Sequence, residues 1–246
     1  MNTIHKKTLH FEADGLVLTG VLHLPDKRPA PFVVGCHGLF ADKDSSKQIA
    51  LADRCAGAGL AYFRFDHRGC GQSQGNFAAE TSLDARCRDL ASAIAAVRDN
   101  PDTDRLTGLF GSSMGGAVVI ASAGGYKAIK TVTIAAPLIS EPVAAAIRTS
   151  GESMAEKMPD GFYDRALRFD ISDKAAGLSN ILLFHGEDDT VVPCDHATQI
   201  YALCKQPKEL VIQKGGDHRM SAPRHQAAFM EKAVAWMEGN QDNVRD

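Results

Sequence analysis

Six short apolar runs, "PFVVGCHG", "LAYFRF", "RLTGLFG", "IKTVTIAAP", "NILLFHG" and "KELVIQKG", are separated by stretches of helical spacing. Nothing else in the chain limits its fold as strongly. Runs of this length and β-branched content read as short strands buried on both faces. Such strands need cover above and below, and the intervening stretches supply it. "SSKQIALADRCAGAG" carries Ile49, Leu51, Ala52 and Cys55 at helical spacing behind serines suited to cap it. "TSLDARCRDLASAIAAVRDN" places Leu83, Cys87, Leu90, Ile94 and Val97 on one helical face, and Asn100-Pro101 stops it. "SMGGAVVIASAGG", "HATQIYALCK" and "APRHQAAFMEKAVAWMEG" are the remaining helices. This alternation specifies an α/β fold with a mostly parallel sheet flanked by helices. Ahead of it, "TLHFEA" and "LVLTGVLHLP" flank Asp14-Gly15, a dipeptide suited to a tight turn, so the chain opens on an antiparallel hairpin.

One segment interrupts the pattern. From about Pro137 to Gly177 no central strand is evident, and so long a connection inside a single domain is usually a lid or binding insertion. The 246 residues, 44% hydrophobic and 23% charged, suit one α/β domain with a substantial core. A net charge of −3 with interspersed signs argues against nucleic acid or an anionic membrane surface as the main partner. The N-terminal stretch has no apolar core of a secretory signal, and no run is long enough for a membrane span, so a cytoplasmic location is expected. The six cysteines form no C-x-x-C pair and no zinc-ligand spacing, which predicts free thiols rather than a disulfide framework.

"LFGSSMGGAVV" raises the question of chemistry. Gly111, Ser113 and Gly115 satisfy G-x-S-x-G between a strand and a helix, the setting of a nucleophile elbow. Ser113 is the central residue and the candidate nucleophile; Ser112 is expected to turn elsewhere. A serine hydroxyl needs a base within hydrogen-bond reach. His218, in "KGGDHRM", follows the last strand, where strand C-terminal ends gather. His196 and His225 fall on helices, and His5, His10 and His23 on the opening hairpin. The base in turn needs a carboxylate to fix its tautomer. "HGEDDTVVP" offers Glu187, Asp188 and Asp189, of which Asp189 is preferred and Asp188 is the alternative. The order Ser, Asp, His fits this architecture. The backbone N–H groups of Met114 and of Leu39, in the loop after "PFVVGCHG", are the expected oxyanion donors. His37 is read as a brace for that loop.

"CHGLFADKDS", "FRFDHRGCGQSQG", "GSSMGG", "HGEDDTVVP" and "GGDH" together resemble the α/β-hydrolase superfamily nearly end to end. They match its oxyanion loop, D-x-R-G-x-G-x-S loop, elbow, acid loop and histidine loop. Within it the chain is similar to the small esterase branch, including cinnamoyl- and feruloyl-esterase-like and serine-aminopeptidase-like proteins. The resemblance implies a central sheet of about eight strands and a cap, here about residues 137–177, inserted after the sixth. It implies Leu39 and Met114 as oxyanion donors, and neither cofactor nor metal. It also makes the glycine loop around Cys70 scaffolding rather than a phosphate site; that loop lacks the G-K-[ST] ending. The expected activity is hydrolysis of a small-molecule carboxylic ester, with a thioesterase or aminopeptidase as the close alternative and a non-catalytic binding module as the distant one. Phe40, Met154, Met158, Phe162 and Tyr163 are candidates to line the substrate pocket or to pack the cap.

Overall fold

All eight strands join one sheet in the order β1-β2-β4-β3-β5-β6-β7-β8 in the computed structural model, which describes residues 4–149 and 158–239. β1 (His5–Ala13) and β2 (Leu16–Leu24) form the opening hairpin, with Ala13 opposite Leu16. Its turn residues Asp14 and Gly15 have φ of 51° and 79°. A tight hairpin demands that left-handed pair, and Asp and Gly adopt it at low cost. β2 lies antiparallel on β4 (Ala61–Phe65). All other pairs are parallel: β4 with β3 (Ala30–Cys36), β3 with β5 (Thr103–Ser112), and then β6 (Lys130–Ile134), β7 (Ile181–Gly186) and β8 (Lys208–Gln213) in succession.

The period-two alternation of buried strands sorts side chains to two cores. Val33, Phe110, Val132, Leu182 and Phe184 face α1 (Ser46–Gly57) and α9 (Pro223–Glu238), meeting Leu51, Ala52, Phe229 and Ala233. Their neighbours Phe32, Val34, Leu109 and Leu183 join the opposite core, which contains Leu90 and Ile94 of α3 (Leu83–Arg98) and Val118 of α4 (Met114–Ala123). The short α2 (Phe77–Glu80) precedes α3. Ser82 caps α3 by accepting from Ala85 N at 3.1 Å. Ser45, at the N-cap of α1, makes no such side-chain bond, a departure from the sequence expectation.

Between β6 and β7 run α5 (Glu141–Thr149), α6 (Phe162–Ala166) and α7 (Ser172–Ala175), and α8 (Asp195–Leu203) follows β7. The two ends of the β6–β7 segment are clasped together. Ser140 N donates to Phe169 O at 3.0 Å, Phe169 N to Ser140 Oγ at 2.8 Å, and Ile171 N to Leu138 O at 3.1 Å. A third apolar cluster joins Val143, Phe162, Tyr163 and Leu167 of this segment to Leu39 and Met114. The segment therefore rests on the loops that leave β3 and β5. Chain connections leave those two neighbouring strands in opposite directions, which opens a crevice at their C-terminal ends. No described helix is long and apolar enough to cross a membrane.

Candidate active site

The crevice is where β5 turns sharply into α4. Ser113 sits at the bend with φ 54° and ψ −122°, a conformation costly for a residue with a Cβ. Ser113 N donates to Ile134 O at 2.8 Å and Ser113 O accepts from Gly116 N at 2.7 Å, which hold the bend. The glycines are there for close approach. A Cβ on Gly111 would stand 2.1 Å from Gly115 O, and one on Gly115 would stand 2.3 Å from Cys36 O. Only bare backbone lets strand, helix and the end of β3 meet.

His218, in the loop after β8, places Nε2 3.1 Å from Ser113 Oγ and Nδ1 2.7 Å from Asp189 Oδ2. Asp189, in the loop after β7, is buried, whereas Asp188 is exposed and Asp189 alone meets His218. The other carboxylate oxygen accepts from Val191 N at 2.9 Å and Val192 N at 2.8 Å. Burial raises the Asp189 pKa, but His185, His218 and the Val192 N–H outweigh it and hold the carboxyl well below the usual carboxylate range. An ionised Asp189 keeps a proton on His218 Nδ1 and leaves the Nε2 lone pair for Ser113. Ser112 is among the residues bordering the cavity, but it is Ser113 that His218 bonds.

Met114 N belongs to the first turn of α4, where N–H groups have no intrahelical acceptor. The Leu39 side is set by Arg86, a fully buried residue of α3. Its Nη1 donates to Gly38 O at 3.2 Å and its Nη2 to Leu39 O at 3.0 Å. A trans peptide directs C=O and N–H to opposite sides. With Gly38 O drawn to Arg86, Leu39 N–H points away from it. A Cβ on Gly38 would stand 3.5 Å from Ser113 Cβ, so this loop lies against the elbow.

Behind these groups the glycine-rich loop after β4 spends its polar groups internally. Asp66 accepts from Lys43 N at 2.7 Å, Lys43 Nζ at 2.9 Å and Gln72 N at 2.9 Å. Asp89 accepts from Arg68 Nε at 2.9 Å and Nη2 at 2.7 Å. His37 Nε2 accepts from His67 N at 3.1 Å. Burial, then the neighbouring His67, pushes His37 well below its ordinary pKa, and burial lowers His67 to about 4. Both are neutral at pH 7.

A cavity of about 450 Å³ opens beside Ser113 between the β3 loop, the start of α1 and the His218 loop. Phe40, one of the candidates for lining or packing, does both: it borders the cavity and packs against Phe77 with ring centroids 5.7 Å apart. Phe162 and Tyr163 do not border it: both are buried, ring centroids 5.2 Å apart, with Phe162 against Phe77 at 5.6 Å. They pack the β6–β7 segment, and Met158 packs partly buried in the same cluster. Met154 lies outside the described residues. A second, much smaller cavity also touches Ser113, bounded by Leu39, Met114, Ser140, Val143 and Leu167.

Three residues of the site escape a sequence reading. His185 Nε2 lies 2.8 Å from Val192 O and 3.2 Å from Asp189 Oδ2, bracing the acid loop from β7. Arg86 falls between Leu83 and Leu90 on the apolar stripe of α3, and a charge on such a stripe was the available signal. Lys47, which lines the large cavity, gave none.

The strand order, the elbow and the loop-borne residues define an α/β hydrolase. Residues 27–172 match the family Hydrolase_4, serine aminopeptidase S33, and the chain belongs to that family. It is 33% identical over 179 residues to the uncharacterized protein YfhR of Escherichia coli O157:H7, covering 70% of this chain and 58% of that one. The chain thus matches less than two thirds of the length of that relative. It is 26% identical over 216 residues to the mitochondrial palmitoyl-protein thioesterase ABHD10 of Mus musculus, covering 79% of this chain and 71% of that one. Among solved structures, Est1E from Butyrivibrio proteoclasticus with ferulic acid bound superposes with a TM-score of 0.76 at 20% identity, covering 93% of this chain and 97% of that one.

Proposed function

We propose that the protein is a serine hydrolase of small carboxylic esters. The observation that carries this reading is the hydrogen-bonded series Ser113–His218–Asp189 on a strained elbow. Ser113 Oγ attacks the ester carbonyl while His218 Nε2 takes its proton. The N–H groups of Leu39 and Met114 receive the oxyanion, each worth about 3–4 kcal/mol by analogy with measured donors. His218 returns the proton to the leaving oxygen, and a water molecule, activated by the same imidazole, hydrolyses the acyl-enzyme. Asp189 holds the imidazole in the productive tautomer and stabilises the imidazolium. The segment between β6 and β7 acts as a cap over the acyl side. No cofactor enters this chemistry, the substrate is a small molecule, and the cytoplasm is the location in keeping with the sequence.

A second reading, a thioesterase with the same residues, is favoured by the likeness to ABHD10. Fold and triad are shared across both reactions and across amide cleavage. Matched acetyl and butyryl oxygen esters and thioesters of one leaving group separate them by kcat/KM. Ser113→Ala is expected to lose activity on the order of 10⁶-fold by analogy with another serine hydrolase, and Ser112→Ala far less. Equal losses from the two variants would refute the assignment of Ser113.

A further inference from the structure

One wall of the large cavity is built by the first turn of α1, through Ser45, Ser46, Lys47 and Gln48. Among the described residues lining this cavity there is no carboxylate, while Lys47 and Arg219 both line it. The first turn of α1 also has no acidic residue, and its N-cap Ser45 makes no side-chain capping bond. Lys47 has no hydrogen-bond or ion-pair partner among the described residues. A cation without a hydrogen-bond or ion-pair partner thus stands on the wall of the cavity that Ser113 and His218 share.

The His218 side of the cavity fixes which part of the substrate meets that wall. His218 lines the large cavity and, as the acid for the leaving oxygen, requires the leaving group to extend there. We infer that Lys47 is a specificity-determining residue that selects esters whose leaving group carries a carboxylate or similar anion. This rests on the serine-hydrolase reading, since that reading assigns the leaving group to the His218 side. Burial pushes the Lys47 ammonium down to about 8, Asp217 and Asp189 opposing that shift and Arg219 adding to it, so the side chain is mostly cationic at pH 7. A half-buried cation of this kind recovers its lost hydration when an anion binds beside it.

The test uses two acetyl esters of similar leaving-group chemistry, anionic 4-acetoxybenzoate and neutral 4-acetoxybenzamide, at pH 7. In the parent, kcat/KM is expected to favour the anionic ester by about tenfold, chiefly through KM, as one charge-assisted hydrogen bond supplies. In Lys47→Met the ratio falls to about one, and Lys47→Arg keeps it. A parent ratio of one or below, or a ratio unchanged in Lys47→Met, overturns the inference. Equilibrium binding of the same two compounds to Ser113→Ala, with and without Lys47→Met, separates the two claims. Lys47-dependent preference for the anion without turnover in the parent keeps the anion site and refutes the hydrolase. Turnover of both esters with no preference in either measurement keeps the hydrolase and refutes the anion site.

Discussion

Asp189→Asn should nearly abolish turnover without unfolding the protein, and the geometry says by how much. The carboxylate accepts from Val191 N and Val192 N on Oδ1 and from His218 Nδ1 on Oδ2. An asparagine can satisfy the two backbone donors only by facing its carbonyl to them. Its NH₂ group then points at His218 and donates to Nδ1, which moves the imidazole proton to Nε2. That nitrogen faces Ser113 Oγ and can no longer accept a proton. The opposite orientation restores the productive tautomer but turns an NH₂ toward two N–H groups, at about 1–3 kcal/mol for each lost bond. The productive state is therefore disfavoured by about 2–6 kcal/mol, or roughly 30- to 10⁴-fold in kcat. The upper end matches the loss of about 10⁴ seen for the corresponding change in another serine hydrolase. The assay is kcat on a neutral acetyl ester, with circular dichroism to confirm the fold and Asp188→Asn as the control. Retention of more than about a tenth of parental kcat by Asp189→Asn, or an equal loss in Asp188→Asn, would refute this reasoning.

Three further outcomes follow from the same contacts. Gly115→Ala places a Cβ 2.3 Å from Cys36 O, an overpacking expected to cost about 1–3 kcal/mol or more and to lower Tm by at least several degrees, whereas Gly124→Ala, with nothing within 4 Å, should change Tm little; thermal unfolding by calorimetry checks both. Arg86→Met removes the donors to Gly38 O and Leu39 O and should lower kcat at least tenfold with KM little changed, because it frees the orientation of Leu39 N–H; equal kcat would refute the bracing role. Burial raises the Asp89 pKa, but its bonds to His67 and Arg68 prevail and lower it to about 2, so the folded state favours its ionised form. That contribution, about 2 kcal/mol, is complete above pH 4 and lost as pH falls toward 2; denaturant unfolding at several pH values should show this acid limb in the parent and a flatter one in Asp89→Asn.

Features governed by local chemistry were legible in the sequence. The hairpin followed from Asp14-Gly15, whose left-handed φ values few other pairs tolerate. The strands followed from their brevity between helical stretches, and Ser113 from glycines that only a crowded bend requires. Asp189 and His218 were legible because strand C-terminal loops converge in a doubly wound sheet. What sequence reading missed depends on contacts between distant segments. Arg86 meets Leu39 across 47 residues, and nothing local to α3 shows which carbonyls await it. His185 looks like any residue of a buried strand until the turn after β7 brings Asp189 back over it. Phe162 and Tyr163 were as plausible for lining a pocket as for packing, since aromatic character suits both, and tertiary placement put them in the packing.

The central claim is that Ser113 is an activated nucleophile. Labelling of the native protein with a fluorophosphonate, read by intact mass and then by peptide mapping, tests it most directly. The account predicts a single adduct on Ser113 that is absent in His218→Ala. A folded parent protein that takes no adduct, or takes it on another residue, would contradict it.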